Sequence, residues 1–191
     1  MNRHEPSPPP LLHPWRTIAR RDLLAAPPHR ISVWVETVEL PDGRVIDDYY
    51  QAALADHAVI HACTADGSLV CLRQYRHGAR RVGLTLPAGQ IDAGEEPLAA
   101  AQRELLEETG YRSSAWTALG AYPISGTQGV ATAHLFRAER AERVAAPRSG
   151  DLEDSLVETL APAAIDGAIA RGEFLILTDV AAIGLARLPP R

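Results

Sequence analysis

Residues 89–111 read Gly-Gln-Ile-Asp-Ala-Gly-Glu-Glu-Pro-Leu-Ala-Ala-Ala-Gln-Arg-Glu-Leu-Leu-Glu-Glu-Thr-Gly-Tyr, and this stretch decides both fold and chemistry. Pro97 suits the first turn of a helix, where its missing N–H loses no bond. Gly110 suits the position just past the end, where the chain must turn left-handed. A helix over 97–109 is therefore predicted. At about 100° per residue, Leu98, Leu105 and Leu106 share one side, while Arg103, Glu104, Glu107 and Glu108 occupy the other. Glu104 and Glu108 are one turn apart, about 6 Å along the axis. Carboxylates so placed repel unless a cation lies between them, so this face reads as a seat for one or two hard divalent ions. A Glu-Leu-Leu-Glu-Glu run alone would equally suit a solvated helix face. The spacing of the whole stretch decides against that.

That spacing is Gly-x5-Glu-x7-Arg-Glu-U-x-Glu-Glu-x-Gly-U, where U is bulky and apolar. Gly89, Glu95, Arg103, Glu104, Glu107, Glu108 and Gly110 fill every fixed position; Leu105 fills the first U, and Tyr111, aromatic rather than aliphatic, the last. At ordinary residue frequencies such a match arises by chance about once in 10^8 start sites. The stretch resembles the box of the Nudix hydrolases. The likeness extends outward through Leu40-Pro41-Asp42-Gly43-Arg44 with Asp48-Tyr49-Tyr50, Arg73-Gln74-Tyr75-Arg76, and Leu86-Pro87-Ala88-Gly89. These segments are similar to the ADP-ribose and nucleotide-sugar pyrophosphatases of that family.

Composition sets the bounds. The 191 residues suffice for one well-filled domain and an arm. With 46% hydrophobic and 23% charged residues and a net charge of −5, there is no basic field to attract nucleic acid. No apolar run nears the roughly 20 residues of a membrane span. Residues 1–10 are polar and proline-rich rather than a secretory signal, so the expected compartment is the cytoplasm. Cys63 and Cys71 flank a predicted hairpin turning at Asp66-Gly67. With two central residues, Cys63 would face Val70 and Cys71 would face Ala62. The sulfurs would then point to opposite faces, which reads as two buried thiols rather than a disulfide.

Alternating apolar residues predict strands over 31–40, 45–50, 57–64, 69–75, 116–122, 133–138 and 156–160. Helical periodicity marks 162–171 and 178–188. Residues 140–154 read as a mobile polar loop. The expected organisation is a mobile arm over 1–30, an N-terminal β subdomain over 31–55, and the main domain over 56–191. Strands before and after one central helix, then terminal helices, suggest a mixed sheet sandwiched between helices.

The resemblance implies more. It implies the Nudix α/β/α sandwich with a mixed sheet, and an antiparallel N-terminal β subdomain that reaches across a homodimer. The Ala88 carbonyl with Glu104 and Glu108 would bind Mg2+ or Mn2+. Glu107 would hold a further ion or the attacking water, and Arg103 would orient the acids with Glu95 as its partner. Arg76 and Arg44 would bind substrate. The general base would lie among Asp151, Glu153 and Asp154, with Glu153 favoured. The implied activity is hydrolysis of a nucleoside diphosphate joined to a sugar, a small-molecule substrate such as ADP-ribose. The chain departs from the pattern at Thr85, where an acid is usual, and at 122–128, where Pro123 is displaced upstream. Another substrate such as GDP-mannose or a dinucleotide therefore stays open, as does a non-catalytic nucleotide sensor. His57, His61 and His134, with Trp34 and Trp116, read as structural.

Overall fold

The computed structural model describes residues 12–25, 31–148 and 154–189. The chain divides into two compact units, Met1–Leu54 and Ala55–Arg191.

The first unit is an antiparallel meander of β1 (Arg16–Ala25), β2 (Ser32–Glu39) and β3 (Val45–Ala53), with β2 in the middle. Its β2–β3 turn closes through Leu40 N to Arg44 O (2.8 Å) and Gly43 N to Leu40 O (2.9 Å). Gly43 takes φ +83°, the left-handed residue such a short loop needs. The arm expected over 1–30 is corrected in part, because 16–25 form a strand. Arg-Thr-Ile-Ala-Arg-Arg-Asp-Leu-Leu-Ala lacks clean alternation, and β2 supplies what the local pattern does not. Arg16 pairs with Glu39, and Arg20 lies 4.1 Å over the Trp34 ring.

The second unit contains β4 (His57–Ala62), β5 (Leu69–Arg76), β6 (Arg81–Thr85), β7 (Ala88–Gln90), α1 (Pro97–Thr109), β8 (Tyr111–Arg112), β9 (Ala115–Ser125), β10 (Gly129–Glu139), β11 (Glu142–Arg143), β12 (Ser155–Leu160), α2 (Pro162–Ala170) and α3 (Leu177–Ala186). The sheet is mixed: β10 runs parallel to β4 and antiparallel to β9, and β4 pairs antiparallel with β7. A second antiparallel sheet has the order β12–β5–β6. Both faces of β4 are buried. Val59 joins a core with Ile165, Ala168, Ala182 and Ile183 of α2 and α3, whereas Ala58, Ile60 and Ala62 join one with Ala100, Ala101 and Leu105 of α1. Helices on opposite faces of a sheet are the expected α/β/α sandwich. No helix among the described residues is long and apolar enough to cross a membrane.

Three local readings change. The strands on either side of Asp66-Gly67 make only one bridge, Cys63 to Leu69, before β4 and β5 part into different sheets. The loop has three central residues, with Gly67 at φ +83° and its N–H on Thr64 O, so the partner of Cys63 shifts from Val70 to Leu69. Both thiols stay free, and burial pushes that of Cys71 up to about 12. Next, Ala88–Gln90, ahead of the helix, form the short strand β7, with Ala88 opposite Val59. Finally, α1 spans the predicted residues and ends at Gly110 with φ +74°, but its inward face is rotated. Leu98 is exposed, and the buried residues are Ala100, Ala101, Leu105, Glu108 and Thr109. Two adjacent alanines let the helix lie close against β4, and Glu108 enters the protein because a backbone donor awaits it.

Candidate active site

That donor is Ala88 N, 2.9 Å from Glu108 Oε2. The carboxylate is 3% exposed as a residue and so holds the chain just before the box against the last turn of α1. Glu104 lies one turn back along the helix, with its carboxylate flat against Gly89. A Cβ at Gly89 would fall inside that carboxylate, so only glycine allows this approach. The Ala88-Gly89 backbone and the two glutamates thus form one cradle.

Arg103 gathers the remaining acids. Its guanidinium grips Glu95 with both sides of the fork, at 3.0 Å from Nε and 2.8 Å from Nη2. Nη2 also donates to Gln90 O at 3.0 Å, while Nη1 reaches Glu104 at 2.5 Å and Glu107 at 3.4 Å. These bonds, helped by Asp92 N, hold the Glu95 carboxyl down at about 2 and push the Arg103 guanidinium further up. Four carboxylates against one guanidinium leave the cluster strongly negative. Its oxygens are hard donors suited to Mg2+-class cations. In this conformation Arg103 stands among the acids, and no three metal-ligating side chains are gathered into a ready cage among the described residues. The residues fit such an ion through charge and donor type.

The structure thereby brings together Ala88, Gly89, Glu95, Arg103, Glu104, Glu107 and Glu108. Gly110 serves in a second way: its carbonyl accepts from Val144 N (2.9 Å) and Ala145 N (3.1 Å), and Arg148 N donates to Glu107 O at 2.7 Å. Residues 144–148 are thus docked onto the C-terminal turn of α1. A Cβ at Gly110 would collide with Ala145 O. Glu153 and Asp151 lie outside the described residues; Asp154 is exposed, next to the start of β12. Arg44 belongs to the first unit, where it pairs with Asp42 at 2.7 Å.

Arg76 ends β5 in a polar cluster that lies outside the 89–111 stretch. With its amide oxygen facing them, Gln74 accepts from Thr85 Oγ1 (2.6 Å) and from Arg76 Nε (3.2 Å) and Nη2 (2.9 Å). Gln74, Thr85 and Asp179 are all buried, and Asp179 Oδ2 accepts from Leu86 N at 3.2 Å. Sequence reading missed Asp179. The available signal was a single acid in the otherwise apolar helix Leu-Thr-Asp-Val-Ala-Ala-Ile-Gly-Leu-Ala. Burial pushes His61 down to about 4, keeping it neutral. Trp116 packs edge-on against Phe136, and its indole N–H is on Ser113 O.

A cradle of glutamates on a helix that starts at proline and ends at left-handed glycine, beneath a mixed sheet, defines a class. Residues 54–175 match the NUDIX domain, and the chain belongs to the Nudix family. It is 33% identical over 145 residues to the ADP-ribose pyrophosphatase of Bacillus subtilis (strain 168), covering 76% of each chain. It is 35% identical over 88 residues to the ADP-sugar pyrophosphatase of Mus musculus, covering 45% of this chain and 38% of the mouse protein. A solved structure described as an ADP compounds hydrolase superposes with a TM-score of 0.78 at 19% identity, over 93% of this chain and 94% of the other.

Proposed function

We propose that the protein hydrolyses the diphosphate of a nucleoside diphosphate joined to a sugar, giving a nucleoside monophosphate and a sugar phosphate. ADP-ribose is the first candidate and would yield AMP and ribose 5-phosphate. The observation that carries this reading is the Gly89 cradle, where Glu104 and Glu108 meet the backbone of the box. The relatives named for ADP-ribose and ADP-sugars support the substrate class.

In this reading the Ala88 carbonyl, Glu104 and Glu108 hold Mg2+ or Mn2+, with Glu107 reaching a second ion or the attacking water. When bound, such ions neutralise the phosphoryl oxygens and make water a better nucleophile. Arg103, fixed by Glu95, holds Glu104 and Glu107 in place. Arg76 binds substrate phosphate, for which a guanidinium fork is well shaped. Water attacks one phosphorus, the bridging P–O bond breaks, and the leaving phosphate keeps the electron pair. Glu153 takes the proton from the water. The working unit is a homodimer built partly on the exposed Ile18, Leu24, Val45 and Tyr50 of the first unit, in the cytoplasm.

The test is a panel of nucleoside diphosphate compounds with Mg2+, reading phosphate released by a coupled phosphatase. ADP-ribose or an ADP-sugar should give the highest kcat/KM. Turnover of GDP-mannose or a dinucleotide alone would move the substrate, and no turnover of any compound would overturn the reading. Glu153→Gln should lower kcat about 10^2- to 10^4-fold with little change in KM, as removal of a base does. If Asp151→Asn or Asp154→Asn collapses instead, the base is that residue. Light scattering at micromolar concentration should give a dimer mass; a monomer mass would remove the dimer from this reading.

A further inference from the structure

Asp179 is a carboxylate where the core calls for a hydrocarbon. It lies in the first turn of α3 and is 2% exposed, with fully buried Leu84, Leu86 and Ile183 among the core residues of the same region. An unmatched charge there is costly, and burial pushes the carboxyl up to about 7. A first-turn acid usually serves its own helix by capping it, but the start of α3 has no side-chain cap. Asp179 turns away from its own helix to Leu86 N.

Leu86 is two residues ahead of Ala88, and the chain between them is pinned on every side. Pro87 has no N–H, its carbonyl accepts from Ile60 N at 2.9 Å, and Ala88 N is held by Glu108. Asp179 therefore supplies the upstream pin of the segment that aims the Ala88 carbonyl. Its charge also acts on Arg76, whose guanidinium donates to the Gln74 amide oxygen. One side chain, from the far end of the chain, bears on both halves of the site.

We infer that Asp179 is a positioning residue that sets the Ala88 carbonyl through Leu86 N and the substrate-binding Arg76 through its charge. The inference rests on the metal and substrate roles proposed above for Ala88 and Arg76. Two variants separate its two functions. Asp179→Asn keeps an oxygen for Leu86 N and removes the charge; Asp179→Ala removes both.

The experiment uses the full chain at about pH 8.5, where the carboxylate is ionised. Mn2+ binding is followed by electron paramagnetic resonance, and kcat and KM are measured on the best compound of the panel. Asp179→Ala should bind Mn2+ about 10-fold more weakly and lose about 100-fold in kcat, the cost of a misplaced ligand. Asp179→Asn should recover Mn2+ affinity and most of kcat but keep a KM raised about 10-fold. In an Arg76→Gln background, Asp179→Asn should change KM less than about twofold, because the group it holds is gone.

A residue that only stabilises the core would lower the melting temperature of both variants and leave Mn2+ affinity, KM and kcat at wild-type values. That pattern overturns the inference. If Asp179→Ala fails to fold, Asp179→Asn decides: raised KM with intact Mn2+ binding supports the role, and an unchanged KM overturns it. A wild type that hydrolyses nothing on the panel sinks the functional reading instead. The Mn2+ comparison then still decides, since equal affinity in wild type and variants overturns the role of Asp179 and weaker binding in Asp179→Ala supports it.

Discussion

The segment 86–89 is held from two directions, and the two holds are built in opposite ways. Glu108 grips Ala88 N from the helix that follows next in the chain, and Glu104 lies on Gly89 from the same helix. Asp179 grips Leu86 N from α3, near the other end of the chain. The first hold is local and is spelled out by spacing alone. The second is assembled by packing and has no spacing to read. A chemically demanding site thus has a part that sequence motifs advertise and a part that only the fold reveals.

The sharpest way to break this comparison is to strip the local hold. Glu104→Gln and Glu108→Gln should each lower kcat on the order of 10^3-fold or more, and chelation of the metal should abolish turnover. Either variant retaining near-wild-type kcat would remove that residue from the cradle. The two glutamates then part company in stability. An acidic face that met only solvent would make both dispensable to folding. Glu108 is instead buried on Ala88 N, so Glu108→Ala should cost about 1–3 kcal/mol in chemical denaturation. Glu104→Ala should be nearly neutral.

Gly89→Ala probes the same hold by adding a methyl group. The new carbon must displace the Glu104 carboxylate, and a displacement near 1 Å can cost about 100-fold in kcat. Gly184→Ala, which meets open space in α3, is the control and should leave turnover unchanged. Equal kcat for both variants would mean that Glu104 can serve from another position.

Gly110→Ala is smaller in effect on the chemistry and larger on the fold. It adds a Cβ at φ +74° and drives it into Ala145 O, so about 1–3 kcal/mol of stability should be lost. Hydrogen exchange at Val144, Ala145 and Arg148 should rise with it. Unchanged exchange there would show that the 144–148 tether does not depend on the glycine.

What the sequence made legible follows the same division. The ends of α1 were readable because Pro97 and Gly110 impose backbone geometry that few other residues would. The Arg103–Glu95 pair was legible only through the resemblance, because the spacing of a loop acid and a helix arginine does not by itself set their contact. The inward face of α1 was misread because Leu98 looks like core by composition, whereas contact with β4 favours the small Ala100 and Ala101. The Asp66-Gly67 hairpin failed because two apolar strands joined by a tight turn look alike whether they pair or part into separate sheets. Strand β1 was hidden because its partner, rather than its own pattern, makes it a strand. Asp179 was hidden because one acid in an apolar helix carries no period.

The smallest expected effect distinguishes the two holds by pH. Asp179 has its folded pKa raised to about 7 from an ordinary 3.8, through burial, partly offset by Leu86 N and Arg76. Between those values the folded protein binds more protons than the unfolded chain, so stability falls as pH rises from about 4 to about 7 and then levels. Glu95, held down at about 2 by Arg103, has the opposite sign: its contribution is complete above about 4.5 and fades only as pH falls below that. His61, pushed down to about 4, also gains stability with rising pH, between about 4 and 6.5. The raw slope near neutrality therefore mixes opposing terms, and the difference between wild type and Asp179→Asn isolates one of them. Melting of the metal-free protein at about pH 5 and about pH 8 should show Asp179→Asn gaining relative to wild type at the higher pH. Parallel shifts in the two proteins would show that the Asp179 carboxyl ionises in the folded state as freely as in the unfolded chain. The long-range hold on Leu86 would then come at no cost in charge burial.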